Sequence, residues 1–397
     1  MTRSDACRAS SSQARSSCSA RKSSLRSIEA IRSQLPVTKS TAYLNTGTAG
    51  PLAQCVAEAI QDAVRREVEL GRASPAGLPG YAPIARETRQ RLAALIGADP
   101  EEIAFTDSTT YGINVAVWGQ RWRHDDEVLT STVEHPGILV PLHYLAQRTG
   151  VSLRTVAPEA LPYAITDHTR MVAVSHVSFS TGARLPVAEV AQAARETGAL
   201  VLVDGAQAVG ALPVDVHALD VDFYAFPSQK WLCGPEGMGG LYVRRGIELD
   251  ATFVGIRSLR SSGPGERDPH NLTLSETATR YEIGSLFRPA MHGLNATLRW
   301  LADDIGFETV FGRTAELAQY CHSQLASVNG LELLTPAEAM AGLVCFRLPG
   351  EDWVARLHER GVTMRWIPQS RALRASCAFF NTSDEVDRLV EALREGA

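Results

Sequence analysis

The sequence predicts an α/β protein: a mostly parallel sheet covered by helices on both faces, followed by a smaller α+β unit. Three observations carry this reading. From "EIAFTDSTT" to "LYVRRG" short apolar runs alternate with helical stretches; those runs are nearly continuous in Val, Leu and Ala; and the last 85 or so residues alternate helix and strand on a smaller scale. A strand buried on both faces has no solvent side, so it loses the two-residue alternation of a half-exposed strand, and continuity therefore points to a parallel, covered sheet. At 397 residues the chain can bury a large core and build two or three domains.

The elements follow in order. Residues 1–27 hold ten serines, five arginines and one lysine against a single acid, without periodicity, and are expected to be disordered. Such a start also fits an organellar transit peptide or a mis-assigned start codon. Next come a short helix and "AYLNTGTAGPL", a strand running into a glycine-rich turn, then helical patterns in "QCVAEAIQDAVRREVEL" and "YAPIARETRQRLAALIG". The sheet strands are expected in "EVLTST", "VSLRTV", "MVAVSH", "ALVLVDG", "VDFYAF" and "GGLYV", with a helix in "PVAEVAQAARETG". A polar loop, "SLRSSGPGERDPHN", leads to "TATRYEIGSLFRP", to the apolar helix "AMHGLNATLRWLADDIG", and to the small unit.

Composition narrows the function. Hydrophobic residues at 45% and charged residues at 21% are ordinary for a globular protein, and a net charge of −5 gives no general attraction to nucleic acid or to an anionic membrane. No apolar run approaches the roughly 20 residues that cross a bilayer. Seven widely spaced cysteines without a CxxC pair argue against a zinc or redox motif, so no metal is expected and a reducing cytoplasm is the expected compartment.

Ligands of such sheets bind beyond the carboxyl ends of the strands, so polar residues just after the apolar runs are the candidates. Asp204 ends "ALVLVD", where a carboxylate needs a cation or donors to offset its burial; taken alone, it is equally consistent with a helix cap. Gln207 follows three residues on, and Lys230 stands after the next strand, between an apolar run and a glycine cluster. A lysine and a carboxylate converging on one crevice suit pyridoxal phosphate: the lysine forms a Schiff base with the aldehyde, and the aspartate keeps the pyridine nitrogen protonated. Ser108, Thr109 and Thr110, between a strand and a helix, offer a phosphate cup, although a plain helix cap explains them in isolation. His135, again after a strand, can stack on an aromatic ring.

In this order the motifs resemble the class V aminotransferase family, over nearly the whole chain from about Leu35. Its members share the fold-type I architecture of pyridoxal phosphate enzymes and include cysteine desulfurases, cystine C–S lyases and isopenicillin N epimerase-like enzymes. The resemblance implies a seven-stranded large domain at 51–305, a small domain at 306–397, and a segment at 28–50 packing with the latter. It implies Lys230 in "SQKWLCGPEG" as the Schiff-base lysine, Asp204 as the partner of the pyridine nitrogen, Gln207 as the contact to the phenolic oxygen, and His135 in "EHPGIL" as the stacking histidine. Ser108, Thr109, Thr110, Ser228 and Gln229 fall at the phosphate, and "RYEIGS" puts Ser285 at the phosphate of the partner in a homodimer. Arg374 in "RASCAFFNT" matches the arginine that takes the substrate α-carboxylate, with Thr48 and Ala49 of the "YLNTGTAGP" turn beside the substrate. Two departures matter. Phe179 stands where many desulfurases have an asparagine, and no cysteine occurs from Phe346 to Ala375, where persulfide-storing desulfurases carry theirs. The implied activity is β-elimination from cysteine or cystine, with transamination, epimerisation or a desulfurase lacking the loop cysteine as alternatives.

Overall fold

The computed structural model describes residues 27–73, 81–260, 268, 270 and 272–396. The disorder expected for 1–27 therefore lies, Ser27 apart, outside the described residues, as does much of the polar loop after Leu259.

The chain opens with α1 (Ile28–Ser33), whose first turn is capped by the Ser27 hydroxyl, and β1 (Ala42–Tyr43). Two amphipathic helices follow, α2 (Gln54–Leu70) and α3 (Tyr81–Leu95). The main sheet is then laid down by β2 (Ile103–Thr106), β3 (Glu127–Ser131), β4 (Ser152–Val156), β5 (Thr169–Ser175), β6 (Leu200–Asp204), β7 (Phe223–Pro227) and β8 (Gly239–Val243). Helices α4 (Thr109–Trp118), α5 (Pro136–Thr149) and α6 (Val187–Thr197) fall between them. Its order is β2-β8-β7-β6-β5-β3-β4, and β8 alone runs antiparallel to its neighbours. The expected mostly parallel seven-stranded sheet is thus observed.

The continuous apolar runs resolve into two cores on opposite faces. Along β5, β6 and β7, Met171, Ala173, Leu202, Phe223 and Ala225 face one cluster, with Ile113 of α4 and Leu142 of α5. The intervening Val172, Val174, Val201, Val203, Tyr224 and Phe226 face the other, with Leu92 of α3 and Val190 of α6. This is the two-residue period of a strand with both faces covered. Helix α7 (Arg288–Arg299) packs on α2 and α3 and continues as a π-helical stretch, Trp300–Ile305.

Beyond it, α8 (Phe307–Leu325), β9 (Glu332–Leu333), β10 (Leu343–Arg347), α9 (Trp353–Glu359), β11 (Val362–Thr363), β12 (Arg365–Ile367), β13 (Ala372–Ser376) and α10 (Ser383–Gly396) build a third core around an antiparallel sheet, β12-β13-β10-β9. Ala42 and Leu44 join that core, and β1 pairs in parallel with β11. The N-terminal strand is thereby tied to the small unit, while the turn after it crosses to the main sheet, where Gly50 N–H donates to the Gln229 carbonyl at 2.7 Å.

Candidate active site

Parallel strands end on one edge of the sheet, so the residues that follow β2, β3, β6 and β7 meet there. They enclose a cavity of about 440 Å³ that the hairpin β12–β13 closes from the small unit. Lys230, Asp204, His135, Gln207, Gln229, Ser108, Thr109, Thr110, Thr48 and Arg374 all line it. Three candidates do not. Ser228 is buried and its hydroxyl donates to the Pro235 carbonyl; the Ala49 carbonyl accepts from the Tyr43 hydroxyl; and Ser285 lines separate depressions beside Tyr81 and Tyr111.

Asp204 is the last residue of β6 and only 5% exposed; its Oδ1 accepts from Ala206 N–H at 2.9 Å. Burial pushes its carboxyl up, opposed by the Lys230 ammonium and that N–H. Lys230 experiences the reverse. Burial, helped by the guanidiniums of Arg374 and Arg365, brings its amine down to about 8 against the pull of Asp204. The two groups share one cavity, and each opposes the effect of burial on the other.

His135 caps α5: Gly137 N–H donates to its Nδ1 at 2.9 Å, which fixes the imidazole in place. Its ring meets Phe179 edge-on, with centroids 4.8 Å apart. Burial and the nearby cations Lys230, Arg374 and Arg365 lower it to about 4, so it is neutral at physiological pH. Gln207 bridges Gly47 and Trp231, its Nε2 donating to the Gly47 carbonyl at 2.8 Å and its Oε1 accepting from Trp231 Nε1 at 2.9 Å. Ser108 caps α4, accepting from Tyr111 N–H at 3.2 Å, and places Thr109 and Thr110 in the first turn, where N–H groups point outward.

Arg374 lies mid-strand in β13, 2% exposed, and no carboxylate contacts it among the described residues. Its Nη1 donates to the Phe179 carbonyl at 3.1 Å and its Nη2 to Thr48 Oγ1 at 3.0 Å, while Nε is buried without a partner. Burial is strong enough to lower this guanidinium to about 10. Arg365 sits directly across from it on β12 and reaches the same Thr48 hydroxyl at 3.4 Å. Like charges on opposed residues are unfavourable, so the pair presents open donors to an anion.

Among the described residues no cysteine lines the cavity. Cys377 is buried in the small unit's core, where its hydrogen bond with Cys321, together with burial, raises it; Cys345, the register partner of Arg374 on β10, is equally buried, and burial raises it to about 12 against the pull of that guanidinium. Among the described residues no cluster of His, Cys, Asp and Glu could hold a metal ion. Sequence reasoning missed Glu134. It precedes His135 in what reads as a polar turn, yet it is 3% exposed, and nothing in its neighbours along the chain marks it, because a partner, Ser175, is 41 residues away.

The family model for Aminotransferase class-V matches residues 42–389. A cysteine desulfurase of Escherichia coli O127:H6 is 34% identical over 334 residues, covering 77% of this chain and 80% of that protein. Among solved structures, the cystine C–S lyase C-DES in complex with its reaction product cysteine persulfide superposes with a TM-score of 0.85 at 30% identity, over 91% of this chain and 99% of that one. A C-DES mutant with glycine covalently linked to its PLP cofactor gives a TM-score of 0.86 at 30% identity, over 92% and 99%. A family match spanning most of the chain, with the sheet, the small unit and the cavity in agreement, has one reading: the chain belongs to the class-V aminotransferase family.

Proposed function

We propose that the chain is a pyridoxal 5′-phosphate-dependent enzyme that cleaves the C–S bond of cysteine or cystine by β-elimination. The observation that carries the chemistry is the cavity itself, in which Lys230, Asp204 and an Arg374 with no carboxylate partner among the described residues face one another. The cofactor fits these residues: among the described residues no cation contacts the buried Asp204 carboxylate, which leaves it to meet a protonated ring nitrogen, and the α4 N-terminus with Ser108, Thr109 and Thr110 opens onto the same space. Asp204 would hold the pyridine nitrogen, His135 the ring face, Gln207 the phenolic oxygen, and Ser108, Thr109, Thr110 and Gln229 the phosphate. When bound, the cofactor supplies an electron sink for negative charge at the substrate Cα.

The chain's own residues do the rest. An amine near 8 is neutral often enough at physiological pH to attack an aldehyde and, once freed, to take the Cα proton. Arg374, with Arg365 beside it, orients the substrate carboxylate. Elimination is favoured over persulfide storage because the cavity lining has no cysteine, while names of relatives include both a desulfurase and a C–S lyase. We place the enzyme in a reducing cytoplasm as a homodimer, with Ser285 on a face outside its own cavity and therefore free to serve the partner's phosphate.

Replacing the lysine tests the proposal. K230A should bind cofactor only reversibly and lose pyruvate formation from cystine by at least about 10³-fold. Unchanged turnover would remove Lys230 from the mechanism.

A further inference from the structure

Glu134 is a fully enclosed carboxyl that the chemistry above does not use. It lies between Val133 and His135 in the turn from β3 to α5, and it does not line the cavity but meets the ends of the sheet strands. There it accepts from the Ser131 hydroxyl at 2.5 Å, from Ser175 N–H at 2.8 Å and from the Ser175 hydroxyl. Ser131 ends β3 and Ser175 ends β5, and Ser175 is the register partner of Asp204 on β6. One carboxyl thus ties the turn that carries His135 to the two strand ends beside Asp204.

No cation contacts it among the described residues, which is unusual for a carboxyl this buried. The groups that face it are Asp204 from β6, which disfavours its ionisation, and the serines of β3 and β5, which favour it. Burial outweighs the serines, and the carboxyl rises to about 7. Its charge is therefore balanced close to physiological pH and is coupled to Asp204 at the edge of the neighbouring cavity; His135, adjacent in the chain, is neutral.

We propose that Glu134 is a positioning residue that holds His135 against the cofactor ring and, through its contact with Ser175 beside Asp204, lets its own charge act on that carboxylate. The inference rests on the cofactor reading above.

The test uses the cofactor-loaded enzyme and two variants, with two readouts besides activity: the induced circular dichroism of the bound cofactor, which reports how the ring is held, and the pH midpoint of its visible band. E134Q keeps the size and can still bridge Ser131 and Ser175, but carries no charge; E134A removes the tie. The expected result is an induced signal retained in E134Q and reduced by half or more in E134A, with far-UV dichroism unchanged in both. The band midpoint of E134Q should fall by about 0.3 pH unit or more, since losing a nearby negative charge favours the deprotonated form. An E134A signal equal to that of the parent overturns the positioning role, and an unshifted E134Q midpoint overturns the electrostatic one. If E134A does not fold, E134Q alone decides: loss of its induced signal or an unshifted midpoint counts against the proposal. A parent chain that binds no pyridoxal phosphate overturns the reading of the site and this inference with it, before either variant is compared.

Discussion

Lys230 and Arg374 show how one cavity perturbs two cations for different ends. Each is lowered mainly by burial, but Lys230 comes close to neutrality while Arg374 stays charged. For the lysine the sign is direct: only the free amine attacks an aldehyde, and a depressed value extends that form to lower pH. Capture of pyridoxal phosphate by the apo chain should therefore slow about tenfold for each pH unit below 8 and level off above it; rapid-mixing absorbance across pH 6–9 checks this, and a plateau only near pH 10 would mean an unperturbed lysine. For the arginine, the expected loss is in substrate binding. R374A should raise KM for cysteine by roughly 10- to 100-fold, the worth of hydrogen bonds to a charged group, with R374K recovering only part because an ammonium cannot offer the fork of donors.

Elements position these side chains through turns that have little room. The turn after β1 passes so close to the loop after β7 that a Cβ on Gly50 would stand 2.1 Å from the Lys230 carbonyl. G50A should cost about 1–3 kcal/mol of stability and weaken cofactor binding together, because backbone must shift at the lysine itself; thermal melting of apo and loaded protein separates the two effects. Helix and strand positions were largely legible in the sequence, since "ALVLVDG" and "VDFYAF" are too short for buried helices, end at a glycine or proline, and are rich in Val, Phe and Tyr, as strands covered on both sides are. Less legible were ties made across the sheet. Glu134 with Ser175, and His176 with the Tyr224 hydroxyl at 2.8 Å, join residues far apart in the chain, and neither carries a local signal. Ser228 illustrates the converse, a hydroxyl next to the lysine whose partner is the Pro235 carbonyl seven residues on.

At the scale of the whole molecule the site lies where the two units face each other, with β13 supplying Arg374 from the small sheet, and the end of β6 and the loop after β7 supplying Asp204 and Lys230 from the main one. The family's order of motifs made that meeting legible; the sharing of Thr48 by Arg374 and Arg365 was not, because it depends on the register of β12 against β13. If the chain is the homodimer proposed above, sedimentation of the loaded enzyme gives twice the chain mass and S285A weakens cofactor affinity; a loaded, active monomer would contradict it. The central claim is C–S β-elimination, and product analysis of the loaded enzyme tests it most directly. With cystine or cysteine, pyruvate should accumulate together with reduced sulfur, and alanine and aspartate should leave the cofactor's visible band in place. Conversion of the cofactor to its pyridoxamine form by alanine or aspartate, with no sulfide or persulfide from cysteine or cystine, would contradict the account and make the enzyme a transaminase.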